Sequence, residues 1–269
     1  MGKHAQLVMG PAGSGKSTYC DIVRQHCENI GRTVHVVNLD PAAEVFKYPV
    51  SVDIRELITV DEIMEDMQYG PNGGLVFCME YLIQNLDWLR DEVGDFEEDY
   101  LIIDCPGQIE LFTHYPVMRV FASELQRMGY QVCAVYTLDS NFMSDSAKFI
   151  SGMLMCLSVM YQMELPHINV LTKMDVYENT HGKQKHTDLE KFFDPDLPQL
   201  TEELNRDMGK KFYKLNAAIG SLLENDPMVS FIPLNIKDED SIEVLLAHID
   251  NAIQYGEDLE PKAPKDLEE

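Results

Sequence analysis

The sequence predicts an α/β fold, a mostly parallel central sheet with helices on both faces. Two observations carry that prediction. Six apolar runs, at 5–9, 33–39, 100–104, 132–138, 167–172 and 229–233, are separated by helix-length segments. Strands buried on both faces read in this way, as continuous apolar runs without alternation. The second observation is a glycine-rich segment between the first run and the first helical pattern. Helices are expected near 16–29, 74–92, 114–128, 144–163, 199–224 and 239–254, and no internal repeat is present.

At 269 residues the chain can bury one large core without covalent staples. We expect a single domain over 1–255 and an acidic mobile tail over 256–269, where acids and prolines cannot bury a face. Lys plus Arg number 21 against 46 Asp plus Glu, a net charge of −25. Such a field repels nucleic-acid backbones and anionic membrane surfaces, so neither is an expected partner. Yet 11 Phe and 12 Tyr within a 45% hydrophobic composition exclude global disorder. The six cysteines form no C-x-x-C pair and sit partly in apolar runs. They read as reduced, buried small hydrophobes of a cytoplasmic protein. Met1-Gly2-Lys3-His4 leads straight into the first strand, unlike a secretory signal. Phe149 to Met163 is the most apolar stretch and is too short for a bilayer, which needs about 20 residues.

The first strand, Ala5 to Met9, runs into Gly10-Pro11-Ala12-Gly13-Ser14-Gly15-Lys16-Ser17, which fits G-x-x-x-x-G-K-[ST] between a strand and a helix. Glycines there let backbone N–H groups turn around phosphate oxygens, and the following helix adds its positive end. This makes the expected architecture that of a P-loop NTPase. Gly10, Gly13, Ser14, Gly15, Lys16, Ser17 and Thr18 are the expected phosphate-binding residues. Lys16 should reach the β- and γ-phosphates, and the Ser17 hydroxyl should bind Mg²⁺.

The second strand ends at Asp40, in Leu39-Asp40-Pro41-Ala42-Ala43. A carboxylate there would lie beside the phosphate loop and hold a metal-bound water or polarise the attacking one, besides capping the residues that follow. The third strand ends in Asp104-Cys105-Pro106-Gly107-Gln108. Asp104 is placed to hold magnesium, Gly107 to bring a backbone N–H to a γ-phosphate, and Gln108 and Glu110 to orient a water. Between those strands lies Gly70-Pro71-Asn72, whose residue types read as a turn before the helix at 74–92.

The fourth strand, Val132 to Leu138, leads to a helix carrying Met153, Met155, Met160 and Met163. These read as core, with an adaptable partner-facing surface as the alternative. The fifth strand closes on Thr172-Lys173-Met174-Asp175, an [NT]-K-x-D pattern. A carboxylate can accept from guanine N1–H and N2–H₂ together, a donor pair that adenine lacks, while the Lys173 stem lies along the purine plane. Asn179 to Thr187 reads as an exposed polar loop, and Pro233-Leu234-Asn235 as a candidate second wall for the base.

On these motifs, and above all on Gly70-Pro71-Asn72-Gly73-Gly74 and the stretches 5–20, 37–43 and 104–111, the chain resembles the GPN-loop GTPases, most closely their shortest eukaryotic branch. The resemblance covers almost the whole chain, least well around 179–187. It implies a GTPase of the class that dimerises around nucleotide, with GTP or GDP and Mg²⁺ as cofactors. It implies that Asn72 acts in trans, reaching the partner's phosphate or water region. Asp40, Asp104, Gln108 and Glu110 fall in the family's switch and magnesium-and-water segments. A paralogous GPN-loop subunit is the implied partner, as a heterodimer or else a homodimer. The implied role is RNA polymerase II assembly and nuclear import, in a cytoplasmic protein that shuttles to the nucleus. Two other classes stay open: a nucleotide-binding assembly scaffold or chaperone with little hydrolysis, and an ATPase of the related dimerising class, against which Asp175 speaks.

Overall fold

The computed structural model describes residues 2–94, 100–181, 186–225 and 229–256. Among these described residues, seven strands form one sheet in the order β3-β2-β4-β1-β5-β6-β7, and every neighbouring pair is parallel. The strands are β1 (Lys3–Met9), β2 (Val34–Asn38), β3 (Val52–Asp53), β4 (Tyr100–Asp104), β5 (Tyr130–Asp139), β6 (His167–Thr172) and β7 (Phe231–Pro233). The apolar runs account for six of these. β3 escapes periodicity because two residues carry no pattern, and it closes the edge beside β2.

Twelve helices follow in chain order among the described residues: α1 (Lys16–Asn29), α2 (Val60–Met67), α3 (Pro71–Gln84), α4 (Leu86–Gly94), α5 (Glu110–Thr113), α6 (Val117–Arg127), α7 (Ser146–Met163), α8 (Met174–His181), α9 (His186–Phe193), α10 (Leu197–Asp207), α11 (Tyr213–Asn225) and α12 (Glu239–Ala252). Both faces of the sheet are covered. On one, Val8, Ile102, Val135 and Val170 pack with Tyr19, Val23, Leu245 and Ile249 of α1 and α12. On the other, Leu7, Ile103, Ala134 and Leu171 pack with Met79, Phe121, Phe149 and Cys156 of α3, α6 and α7. All six cysteines are buried and free, as their setting predicts.

Two expected helices are divided, each for a local reason. The segment 74–92 starts earlier, at Pro71, and breaks at Asn85, whose side chain turns back onto the Tyr81 carbonyl at 2.8 Å. Gly70-Pro71-Asn72 is therefore a helix start with Gly70 at the N-cap and Pro71 in the first turn, not a separate turn. The segment 114–128 is α6 alone, starting later than expected because Pro116 holds its N-cap position, and the short α5 precedes it. The segment 199–224 becomes α10 and α11, parted around Met208 and Gly209. α2 carries a capping box between Thr59 and Glu62, a legible signal that apolar periodicity overlooks.

The expected polar loop is shorter than 179–187, because α8 runs on to His181 and α9 begins at His186. Residues 182–185 of that loop and 257–269 of the expected tail lie outside the described residues. Met153 and Met163 are buried, and Met155 and Met160 pack against the same core, so the methionines of α7 serve the interior. Among the described residues, no helix is long and apolar enough to cross a membrane.

Candidate functional site

β1 is central, flanked by β4 and β5, so the loop leaving it emerges in the middle of the sheet's C-terminal edge. Ligands in open α/β sheets bind at this edge. Gly10, at φ +145°, lies so close to β5 that a Cβ would sit 2.4 Å from the Thr137 carbonyl and 2.5 Å from its hydroxyl. Only glycine fits there. Thr137 Oγ1 in turn bonds the Ser14 hydroxyl at 2.6 Å and donates to the Met9 carbonyl at 3.1 Å, which sets the loop's curvature. Gly15, at φ +96°, is the N-cap of α1, and no side chain caps that helix. Its first amides are left for an anion.

Lys16 is buried at 8% exposure, and its ammonium donates to the carbonyls of Gly10 at 3.1 Å and Pro11 at 3.2 Å. Burial lowers its pKa, and Asp104 and Asp40 oppose that. Both carboxylates are themselves raised by burial; hydrogen bonds from Tyr48 and Ser17 and the charge of Lys16 offset this at Asp104, and the Ala42 amide and Lys16 at Asp40. Lys16, Ser17, Asp40, Asp104, Gly107 and Gln108 line one cleft of about 410 Å³. Gly107 brings its segment against the phosphate loop, since a Cβ there would lie 3.0 Å from the Ala12 Cα. Thr18, half-buried on the next position of α1, is outside that lining.

The cleft is short of positive charge, with one ammonium beside Glu44, the half-buried Asp40 and the buried Asp104 among its described lining. A triphosphate entering it would deepen the deficit. Asp104 and the Ser17 hydroxyl supply the hard oxygen donors that a magnesium ion prefers, so the residues present fit that ion.

Three further side chains shape the cleft and carry no motif. Tyr48 donates to Asp104 Oδ2 at 2.6 Å, fixing the carboxylate. Asn38 bridges the Asp40 carbonyl at 3.0 Å and Asp53 at 2.8 Å. Arg55 pairs with Asp53, reaches the Ala43 carbonyl at 2.9 Å and lies over the Phe46 ring, tethering the segment after Asp40.

Glu110 stands apart from the phosphate-loop cleft. It is exposed at the start of α5 and lines a neighbouring groove of about 380 Å³ with Tyr69, Asn72, Phe77 and Tyr115. Gln108 lines both spaces, and its Nε2 donates to Asn72 Oδ1 of the same chain at 2.8 Å.

At the end of β6, the Thr172 hydroxyl donates to the Ser14 carbonyl at 2.5 Å and to the Leu138 carbonyl at 3.2 Å. Thr172 therefore ties the base-reading turn to the phosphate loop. Lys173, in the left-handed region at φ +60°, stretches back across the loop to the Gly13 carbonyl and to Asp139 Oδ2, both at 2.6 Å. Asp139, at the end of β5, was not singled out by any motif. Asp175 is 8% exposed, on the first turn of α8, with Lys237 Nζ 3.2 Å from its carboxylate. The segment after β7 does adjoin it: the Leu234 amide continues the pairing with β6, and Asn235 reaches Glu178 at 3.5 Å.

A family model described as "Conserved hypothetical ATP binding protein" matches residues 8–255. GPN-loop GTPase 3 of Dictyostelium discoideum is 62% identical over 264 residues, covering 98% of this chain and 92% of its own. GPN-loop GTPase 3 of Xenopus tropicalis is 53% identical over 272 residues, covering 100% of this chain and 94% of its own. Among solved structures, a GTPase in apo form from Pyrococcus abyssi aligns with a TM-score of 0.75 at 24% identity, over 93% of this chain and 97% of that one, a likeness of fold.

Proposed function

The chain belongs to the GPN-loop GTPase family, and we propose that it hydrolyses GTP slowly, as the magnesium-dependent switch of a dimer. The observation that supports this best is the charge arrangement of the cleft: Lys16, buried at the uncapped start of α1, feels the charges of both Asp104 and Asp40. Ser17 and Asp104 would hold the magnesium ion. When bound, that ion neutralises phosphate oxygens and the charge that develops on them.

The protein's own part follows from its contacts. Lys16 exchanges the carbonyls of Gly10 and Pro11 for phosphate oxygens. Asp175 accepts from the guanine edge, and the Lys173 stem covers the base. Gln108 lines the cleft, where its Oε1 would accept from the attacking water. Hydrolysis would release the segments that follow Asp40 and Asp104, as in other γ-phosphate switches.

Single-turnover hydrolysis tests this reading. Gln108→Ala is expected to slow the step by roughly 10²-fold while nucleotide affinity stays within a few-fold, because water positioning is lost and binding is not. Glu110→Ala is expected to leave the rate near wild type, since Glu110 lies outside the cleft. A wild-type rate in Gln108→Ala would transfer the water to Asp40 or Glu110, and the same assay on those variants decides between them.

The proposed dimer places Asn72 in the partner's site. The apolar groove around it supports a partner seat, with Tyr69 and Tyr115 exposed beside it. A net charge of −25 opposes self-association and favours a less acidic paralogous subunit. In mixed dimers with one competent site, Asn72→Ala is expected to slow hydrolysis when that site is the partner's and to spare it when it is the variant chain's own. The reverse pattern would mean that Asn72 acts in cis, through Gln108. We place this switch in RNA polymerase II assembly and nuclear import, in a cytoplasmic protein that shuttles. Polymerase subunits that still reach the nucleus normally after its depletion would refute that role.

A further inference from the structure

At the opposite end of β6 from the nucleotide cleft, four buried polar atoms have no well-formed hydrogen bond: Nδ1 and Nε2 of His167, Oη of Tyr136 and Oδ1 of Asn169. Buried polar atoms in native proteins almost always have partners, so a cluster without them requires an explanation. The three side chains share one face of the sheet. Tyr136 is the register partner of Asn169 across β5 and β6, and Ala134 that of His167. The Tyr136 and His167 rings are stacked with centroids 6.3 Å apart. Asn169 spends its Nδ2 on the Ser230 carbonyl at 3.2 Å, which leaves its oxygen as an acceptor.

Of the three on this polar floor, His167 lines a groove of about 450 Å³ under the last turns of α7, walled by Leu157, Met160, Tyr161, Leu165 and Pro166, with Tyr136 and Asn169 next to His167 on the same sheet face. That volume is within the range of small-molecule sites, roughly 300–1,000 Å³. The six residues from His167 to Thr172, five steps of about 3.3 Å, span about 17 Å of strand, so the groove is distinct from the phosphate cleft.

Taking floor and walls together, we infer that this groove is a second binding site, for an uncharged small molecule with an apolar body and one hydroxyl-like end that both donates and accepts. One or two waters would satisfy the floor and leave apolar walls wet, whereas such a ligand satisfies both. The charge follows from the surroundings. Burial pushes the His167 ring down to about 4, opposed only by a weak hydrogen-bonding contact with Asn169, so the imidazole stays neutral. Glu164 stands at the rim, paired with Arg119, and disfavours an anion.

The test uses the full chain and three matched probes: 4-ethylphenol, ethylbenzene and 4-ethylbenzoate, titrated by ligand-observed NMR. Saturable binding of 4-ethylphenol is expected, at least tenfold tighter than either other probe. Met160→Trp, which fills the groove from its wall, should weaken it at least tenfold with nucleotide affinity unchanged. His167→Phe combined with Tyr136→Phe should erase the preference for the phenol over ethylbenzene. If the double variant fails to fold, the Met160→Trp comparison stands alone. Absence of saturable binding, or binding indifferent to Met160→Trp, overturns the inference. So does a crystal structure with 4-ethylphenol that shows only ordered water, or a segment of another protein, on the floor.

Discussion

Lys16→Ala is expected to weaken GTP and GDP binding by about 10²–10⁴-fold, the effect of removing one partner from a buried, hydrogen-bonded charge pair, about 3–5 kcal/mol. The size follows from where the ammonium sits. It is the one cation lining the cleft among the described residues, and its charge is not spread over surface alternatives. Its present partners are neutral carbonyls at 3.1 and 3.2 Å, so without nucleotide it is held in place but not neutralised by contact. A phosphate oxygen offers a full charge in the same low-dielectric setting, where charge-assisted bonds are strongest.

The folded chain should tolerate the substitution. Truncation removes a buried cation together with two modest bonds, and the carbonyls of Gly10 and Pro11 can turn to water in the open cleft. Thermal unfolding with and without excess GDP and magnesium separates the two effects. Wild type should gain melting temperature with nucleotide, by the linkage between binding and folding, and Lys16→Ala should gain none while its ligand-free melting temperature stays close to wild type. A variant that still gains stability from GDP would show that the helix amides carry the phosphates without Lys16.

The phosphate loop was legible in the sequence because its chemistry requires glycines, a lysine and a hydroxyl at fixed spacing, all contributed by one continuous segment. Asp104 and Asp175 were legible for a related reason: each ends or follows a buried strand, and strand ends in a parallel sheet converge on one edge. Tyr48 and Asp139 were not. Each acts on a residue far along the chain, Tyr48 on Asp104 and Asp139 on Lys173, through contacts that only the folded sheet creates. The helix breaks at Asn85 and Gly209 were hidden because apolar periodicity continues across them. Gly70-Pro71-Asn72 showed its residue types but not its place. The residues alone read as a turn before the helix, and only tertiary contact sets Asn72 against Gln108.

Asp175→Ala is expected to cost about 2–4 kcal/mol of guanine nucleotide affinity and to remove the preference over adenine, as a buried charge-assisted pair is lost. Its geometry supports the selective role. The carboxylate is nearly buried at the start of α8, and the adjoining Lys173 is strapped over the phosphate loop, so base and phosphates are registered against one rigid unit. The ion pair with Lys237 raises a competing reading, in which Asp175 merely anchors the segment after β7. Lys237 is 67% exposed, and such a surface pair contributes about 0–1 kcal/mol. Lys237→Ala should therefore leave GDP affinity nearly unchanged. Titrations of labelled GDP, GTP and ATP against the wild type and both variants separate the readings. Guanine preference kept in Lys237→Ala and lost in Asp175→Ala assigns the carboxylate to the base. Loss in both would make it a structural anchor, because the base site would then depend on the turn that Lys237 holds. Equal affinity of the wild type for GTP and ATP would remove the guanine reading altogether, and Asp175 with it.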